Sequence, residues 1–295
     1  MWSEPPNPQK DTKPAALASL LGVCSRPKAS TSSARMERIQ PERFNHRQAE
    51  PRGLNAGVLK SCTMTQALHI LHVLSSMATK QLLNELVALY QLTTFGPVRV
   101  ESVGGVDAAK RVQAGEVFDV VALAANAVMQ LQQAGKITEG SCRDLVTSGV
   151  AIAVRSGAVA PDVASEEAVK QAVLNAKSIG YSTGPSGVQL AKLFERWGIA
   201  DHIASRIVQA KPGVPVAASI ASGDVELGFQ QLSEMLGAPG IAVLGVLPPA
   251  IEIITTFSAG VASNAPQAAK AQALIDFMAS PAAAECIRRN GMAPV

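Results

Sequence analysis

From about residue 64 onward the apolar positions fall into two alternating rhythms. "ALHILHVL" (67–74) is a short apolar run that stops at Ser75-Ser76, after which Leu82, Leu83, Leu86 and Leu89 recur at helical spacing to about Tyr90. Such a run followed by a 3.6-residue period predicts a strand and then a helix. The pattern returns. "VRVES" (98–102) alternates like a strand, passes Gly104-Gly105, and opens a short amphipathic helix that Gly115 is suited to end in a left-handed conformation. "FDVVALAA" (118–125) reads as a buried strand leading into "NAVMQLQQAG", and "GVAIAVRSG" (149–157) as another strand. Ser165 stands as N-cap before "EEAVKQAVLNA". "SIGYSTGPSGVQLAKLFERWG" and "DVELGFQQLSEML" repeat strand, small polar turn and helix. "GIAVLGVLPP" and "IEIITTFSAGV" are strands, and helices over 266–279 and 281–290 end the chain.

Strands and helices alternating at this spacing predict an α/β fold with mainly parallel sheets covered on both faces. Ligands of such folds bind beyond the carboxyl ends of the strands, where the strand-to-helix turns lie. The turns here are Ser75-Ser76, Gly104-Gly105, Ala125-Asn126, the "STGPSG" stretch from Ser182 to Gly187, and Gln230-Gln231. They are small, hydroxylated or amide-bearing, and Asp107 is the one carboxylate beside them. Helix N-termini that converge with bare N–H groups make a site for a small anion. A single serine or glycine at such a turn is an ordinary cap, but "STGPSG" supplies three hydroxyls where a cap needs one. Lys80 is a misfit in its turn, because a cation is disfavoured at a helix N-terminus unless an anion sits in front of it.

Composition narrows the picture. The 295 residues are 47% hydrophobic, 17% charged and only 4% aromatic, enough for one large or two medium domains. Net charge is +3, yet residues 1–63 hold ten basic and five acidic side chains, and 64–295 hold 16 basic against 18 acidic. The basic excess therefore belongs to the N-terminal stretch and gives the body no reason to bind nucleic acid. No apolar run reaches the ~18–20 residues of a membrane span. Residues 1–63, rich in Pro, Ser, Arg and Lys, are expected to be a disordered or non-native extension, with the working start near Met64. "ALASLLGV" (16–23) is too short for a secretory signal, so the chain as written reads as cytoplasmic, or as periplasmic if its N-terminus is mis-assigned.

Several chemistries find no support. Cys24, Cys62, Cys142 and Cys286 are widely spaced, and His69 and His72 fall on opposite faces of their strand, so no metal set or cofactor is expected. Phosphate-loop, dinucleotide, zincin and nucleophile-elbow motifs are absent, and His202 alone in the second half leaves no base for a serine triad.

The run "VESVGGVDAAKRVQAGEVFDVVALAANAVMQLQQAG", followed by "STGPSGVQLAKLFERWGIAD", "ASGDVELGFQQLSEM" and "ALIDFMASPAAAECIRRNGM", resembles the type 2 periplasmic solute-binding proteins, nearest their molybdate-binding-like branch. Aconitate isomerase of bacteria is similar to this branch. The resemblance covers roughly 64–295 and implies two α/β lobes, 64–147 plus 249–295 and 148–248, closing on a ligand, with an ABC permease as partner. It implies a hydroxyl donor at Ser75 or Ser76; on the residues themselves, Ser75 and Ser76 and the backbone of Gly104, Gly105 and Val106 are the expected donors, with Lys80 and Asn126 as further candidates. Ser182, Thr183, Ser186, Gly187 and Gln230 would close from the second lobe. Two family donors are missing: Gly104-Gly105 replaces a Ser-Gly step and Phe229-Gln230 replaces a tyrosine. That pattern favours an organic carboxylate over a tetrahedral oxyanion. An isomerase acting on an unsaturated polycarboxylate is the alternative, with Lys80, Tyr181 or Glu234 as its base. A ligand-sensing module is a third reading.

Overall fold

The computed structural model describes residues 69–94, 96–211 and 213–295. The expectations for residues 1–63, Met64, Cys24 and Cys62 lie outside these residues. The chain runs β1 (Leu71–Ser76), a 3-10 turn (Met77–Thr79), α1 (Lys80–Thr93), β2 (Val98–Val103), α2 (Gly105–Gln113), β3 (Val120–Ala124) and α3 (Ala125–Gln133). The long β4 (Arg143–Arg155) leads to α4 (Glu166–Asn175), β5 (Ile179–Tyr181), α5 (Pro185–Arg196), α6 (Ala200–Ile203) and β6 (Ile207–Gln209). Then follow α7 (Val216–Ser222), β7 (Leu227–Gln231), α8 (Leu232–Met235) and β8 (Ile241–Val246). The return strand β9 (Ile254–Val261), α9 (Ala268–Met278), α10 (Ala284–Arg289) and β10 (Ala293–Pro294) complete the order.

The strands hydrogen-bond in the order β2-β1-β3-β9-β4-β7-β5-β6, with β8 and β10 also on β4. Within the blocks β2-β1-β3 and β7-β5-β6 the pairing is parallel. At β9 and β4 it turns antiparallel, which makes the sheet mixed. The cause is β4 itself. Its first half pairs with β9 through Gly149, and its second half pairs with β7 and β8 from Val150 onward. A strand that leaves one sheet and enters another without turning back must meet the strands that return beside it head to tail.

Side chains alternate across each strand, so a strand buried on both faces feeds two cores. Val120, Ala122 and Ala124 of β3 pack with α1, α9 and α10, whereas Val121 and Leu123 pack with α2 and α3. Val150, Ile152 and Val154 of β4 face the core of α4 and α5, whereas Ala151 and Ala153 face α7. That second core needs glycine. Gly180 and Gly228 sit opposite each other on β5 and β7, and a Cβ on Gly228 would collide with Ile220 of α7. The helix rests on bare backbone, which fixes where its first N–H points.

Punctuation follows the sequence where one residue decides it. Gly115 and Gly198 take positive φ, +87° and +68°, after α2 and α5. The Ser165 hydroxyl accepts the Ala168 N–H at 3.1 Å and caps α4. No helix among the described residues is long and apolar enough to cross a membrane.

Candidate functional site

A cavity of about 610 Å³ opens at the carboxyl ends of the parallel strands. One wall is built by Ser76 at the end of β1, by Gly104, Gly105 and Val106 at the start of α2, and by Asn126 in the first turn of α3. The opposite wall carries Ser182, Thr183, Gly184 and Ser186 around the start of α5, and Gln230, Gln231 and Glu234 at the end of β7 and on α8. Leu123, Ala127, Leu131 and Phe257 give it an apolar floor. At the rim, Gly213 approaches Gly104 closely enough that an added Cβ would stand 3.8 Å from the Gly104 nitrogen. The helices α2, α3 and α5 all begin here, and none has a side-chain cap. Their first N–H groups have no intrahelical partner and carry partial positive charge.

Ser76 lines the cavity and is 6% exposed, and its buried hydroxyl has no hydrogen-bond partner among the described residues. A buried polar atom left unpaired costs about 1–3 kcal/mol, which a guest that accepts from it would offset. Gln231 is similar. Its amide bonds Thr255 Oγ1 at 2.7 Å, and the other end of the amide is unpartnered. Because the threonine hydroxyl can donate or accept, Gln231 can turn either a donor or an acceptor toward the guest.

Three expected residues are not brought to the cavity. Ser75 faces the sheet, and its Oγ lies 2.7 Å from Ser102 Oγ on β2. Ser75 and Ser76 both belong to β1, so alternation sends their side chains apart. Lys80 is exposed and outside the lining, because Met77–Thr79 form a turn before α1 begins. Its position needs no anion in front of it. Gly187 is buried in the first turn of α5, where a Cβ would strike the Ser182 carbonyl oxygen, so glycine there serves close packing.

Gln230 does line the cavity, but its amide is committed. Oε1 accepts the Val216 N–H at 2.8 Å, and Nε2 donates to Glu234 Oε2 at 2.5 Å. Of the three candidate bases, Glu234 alone lines the cavity; Tyr181 packs edge-on against Phe194 in the core of α4 and α5, with ring centroids 6.1 Å apart. Burial pushes the Glu234 carboxyl up to about 7, against the lowering effect of the Gln230 hydrogen bond. It is the one Asp or Glu among the described lining residues.

Sequence reasoning missed Lys110, Gln113 and Gln130, which reach the cavity from the bodies of α2 and α3, and Lys211 in the loop before α7. Helical spacing from Gly105 and Asn126 marks which positions share a face with each N-terminus, but the depth of the crevice appears only when the two walls meet. No group of three His, Cys, Asp or Glu among the described residues is arranged to hold a metal ion.

The sequence pattern of a known family, bacterial extracellular solute-binding protein, matches residues 71–293. The chain belongs to that family. An aconitate isomerase from Pseudomonas sp. is 36% identical over 186 residues, 63% of this chain and 71% of that protein. Among solved structures, the periplasmic molybdate-binding protein of Azotobacter vinelandii aligns with a TM-score of 0.64 at 19% identity, over 75% of this chain and 98% of that one. The sulfate-binding protein SubI from Mycobacterium tuberculosis H37Rv aligns with a TM-score of 0.61 at 14% identity, over 77% and 87%. These structural likenesses identify the fold as that of type 2 periplasmic binding proteins.

Proposed function

We propose that the cavity holds a small organic carboxylate. The observation that carries this reading is the unpartnered, buried Ser76 hydroxyl in a wall of uncapped helix starts. One carboxylate of the guest accepts from Ser76 and from the N–H groups at Gly105 and Val106. A second meets Ser182, Thr183 and Ser186, with Asn126 between the two walls. Lys110 and Lys211 add positive potential near the rim. A cavity of 610 Å³ sits in the ~300–1,000 Å³ range of small-molecule sites and leaves room for more than a five-atom oxyanion. Hydrogen bonds to a charged group contribute about 1.5–3 kcal/mol each. Three or four of them, less ordering costs, give roughly micromolar binding.

The two walls are carried by separate cores joined through β4 and β9, which supports the division into lobes 64–147 plus 249–295 and 148–248. Family membership favours an extracytoplasmic setting and an ABC permease as partner. Thermal shift and calorimetry with di- and tricarboxylates, molybdate, tungstate and sulfate test the ligand class. Stabilisation by a carboxylate and not by the inorganic oxyanions is expected; tighter binding of molybdate overturns the reading.

A second reading is favoured by one specific observation, the carboxyl of Glu234 inside a cavity otherwise made of neutral and cationic groups. Together with the 36% identity to an aconitate isomerase, it supports turnover of an unsaturated polycarboxylate. Conversion of trans-aconitate into cis-aconitate by the purified protein is the direct assay.

A further inference from the structure

We infer that Glu234, held in place by Gln230, transfers a proton to and from a carbon of an unsaturated polycarboxylate bound in the cavity. This rests on the isomerase reading above and assigns its acid–base group. Gln230 is 3% exposed, and the Val216 N–H at 2.8 Å fixes which end of its amide faces α7. The other end must then donate to Glu234 Oε2. One carboxyl oxygen is thereby taken up, and Oε1 is left for the guest. The position of Val216 depends in turn on α7 resting on the Gly180–Gly228 pair. The carboxyl is therefore aimed by packing that reaches into the sheet.

Its electrostatic surroundings suit the task. The helix α8 packs against β4, β7, β8 and the Met77–Thr79 turn. Of these, β7, β8 and the turn carry no charged side chain, and β4 carries Arg143, Asp144 and Arg155. Leu232 of α8 also meets Gly291, just after Arg288 and Arg289, the latter paired with Glu85. Lys110 and Lys211 are the cations of the cavity lining. No ion pair among the described residues claims Glu234, and its upward-shifted pKa of about 7 lets it exchange protons near neutrality.

The step balances without a co-reactant. A C–H bond of the methylene flanking the double bond breaks, and an O–H bond forms on Oε1. The electron pair spreads over the allylic carbons and the attached carboxylate, whose growing charge meets the fixed donors of the opposite wall. The proton on Oε1 exchanges with solvent, one proton passes from Glu234 to the carbon at the far end of the allylic unit, the double bond moves by one position, and Glu234 is again a carboxylate.

Proton NMR of trans-aconitate incubated with the full chain in D2O tests the assignment, alongside calorimetry of the same pair. The expected result is binding, exchange of the methylene signal, and appearance of cis-aconitate. Glu234→Gln should still bind but slow exchange by at least 100-fold. Gln230→Met removes the donor that lowers the Glu234 pKa, so the rising limb of the pH–rate profile should move to higher pH. That shift is one a purely structural role would not produce, and it keeps the assignment testable if Glu234→Gln does not fold. Binding without exchange overturns this inference and leaves the carboxylate reading standing. Absence of any carboxylate binding overturns both, and exchange slowed by less than 100-fold in Glu234→Gln overturns the role of Glu234 alone.

Discussion

The two walls of the cavity are made of different chemistry. The wall of β1, α2 and α3 presents the neutral groups of Ser76, Gly104, Gly105, Val106 and Asn126 with helix starts behind them, and its one charged residue in the described lining is the cation Lys110. The wall of α5, β7 and α8 holds hydroxyls too, but it adds the one carboxyl and the amide that aims it. A wall of fixed dipoles binds an anion at any pH where the anion is charged. A wall containing a titratable group makes the outcome depend on protons. The difference separates holding a guest from acting on it, and variants on the two walls should fail in different ways.

The largest effect should come from a negative charge placed among the donors of the first wall. Gly105→Asp sets a carboxylate among the donors, and two like charges about 4 Å apart repel by about 4 kcal/mol at an effective dielectric of ~20. Carboxylate affinity should fall by at least 100-fold in calorimetry. Gly105→Ala is the control, since its methyl meets only Ser76 Cβ at 3.7 Å, and it should stay within about threefold of wild type.

Next in size is the comparison of the adjacent serines. Ser76→Ala should weaken carboxylate binding by about tenfold or more while raising unliganded stability by up to about 1–3 kcal/mol, because its buried hydroxyl has no partner to lose. Ser75→Ala should do the reverse, costing about 1 kcal/mol of stability through the lost Ser102 bond while leaving affinity nearly alone.

The second wall should reveal itself through pH. Glu234 titrates near 7 when folded, against an ordinary value of 4.5, so between those values the folded chain holds a proton that the unfolded chain releases. Its contribution to stability is present in full below about pH 4.5, falls as pH rises through the window, and stays lost above about 7. Glu234→Gln should remove that slope, about 1–3 kcal/mol, and narrow the gap between Tm at pH 5 and pH 8. The smallest effects belong to the exposed cations. Lys110→Ala and Lys211→Ala should weaken binding about two- to threefold at low salt and less at high salt, while Lys80→Ala should change nothing measurable.

Much of the strand and helix order was legible because the longer elements announce their own period, and Gly115, Gly198 and Ser165 mark ends that a single residue decides. The first half of β4 was not. Arg143 and Asp144 interrupt its apolar pattern, and it is a strand only because β9 and β10 pair with it. The mixed pairing was hidden for the same reason, since no local signal says that one strand serves two sheets. The three-residue β6 and four-residue α8 are too short to show a period.

For the site, the turns were legible and their orientations were not. Neighbouring serines differ only in phase, and the phase of β1 is set by what it pairs with. Gln230 was visible as an amide near a turn, but its commitment to Val216 and Glu234 depends on where α7 lands. Lys80 looked like a cavity residue only while the helix was taken to begin directly after Ser76.

Calorimetric titration of wild type and Ser76→Ala with tricarballylate, a saturated tricarboxylate that cannot isomerise, asks whether the Ser76 hydroxyl holds a carboxylate. Wild type should bind with roughly micromolar affinity and Ser76→Ala at least tenfold more weakly, although the variant melts no lower than wild type without ligand. Full affinity in Ser76→Ala, or molybdate outcompeting the tricarboxylate, would contradict the account.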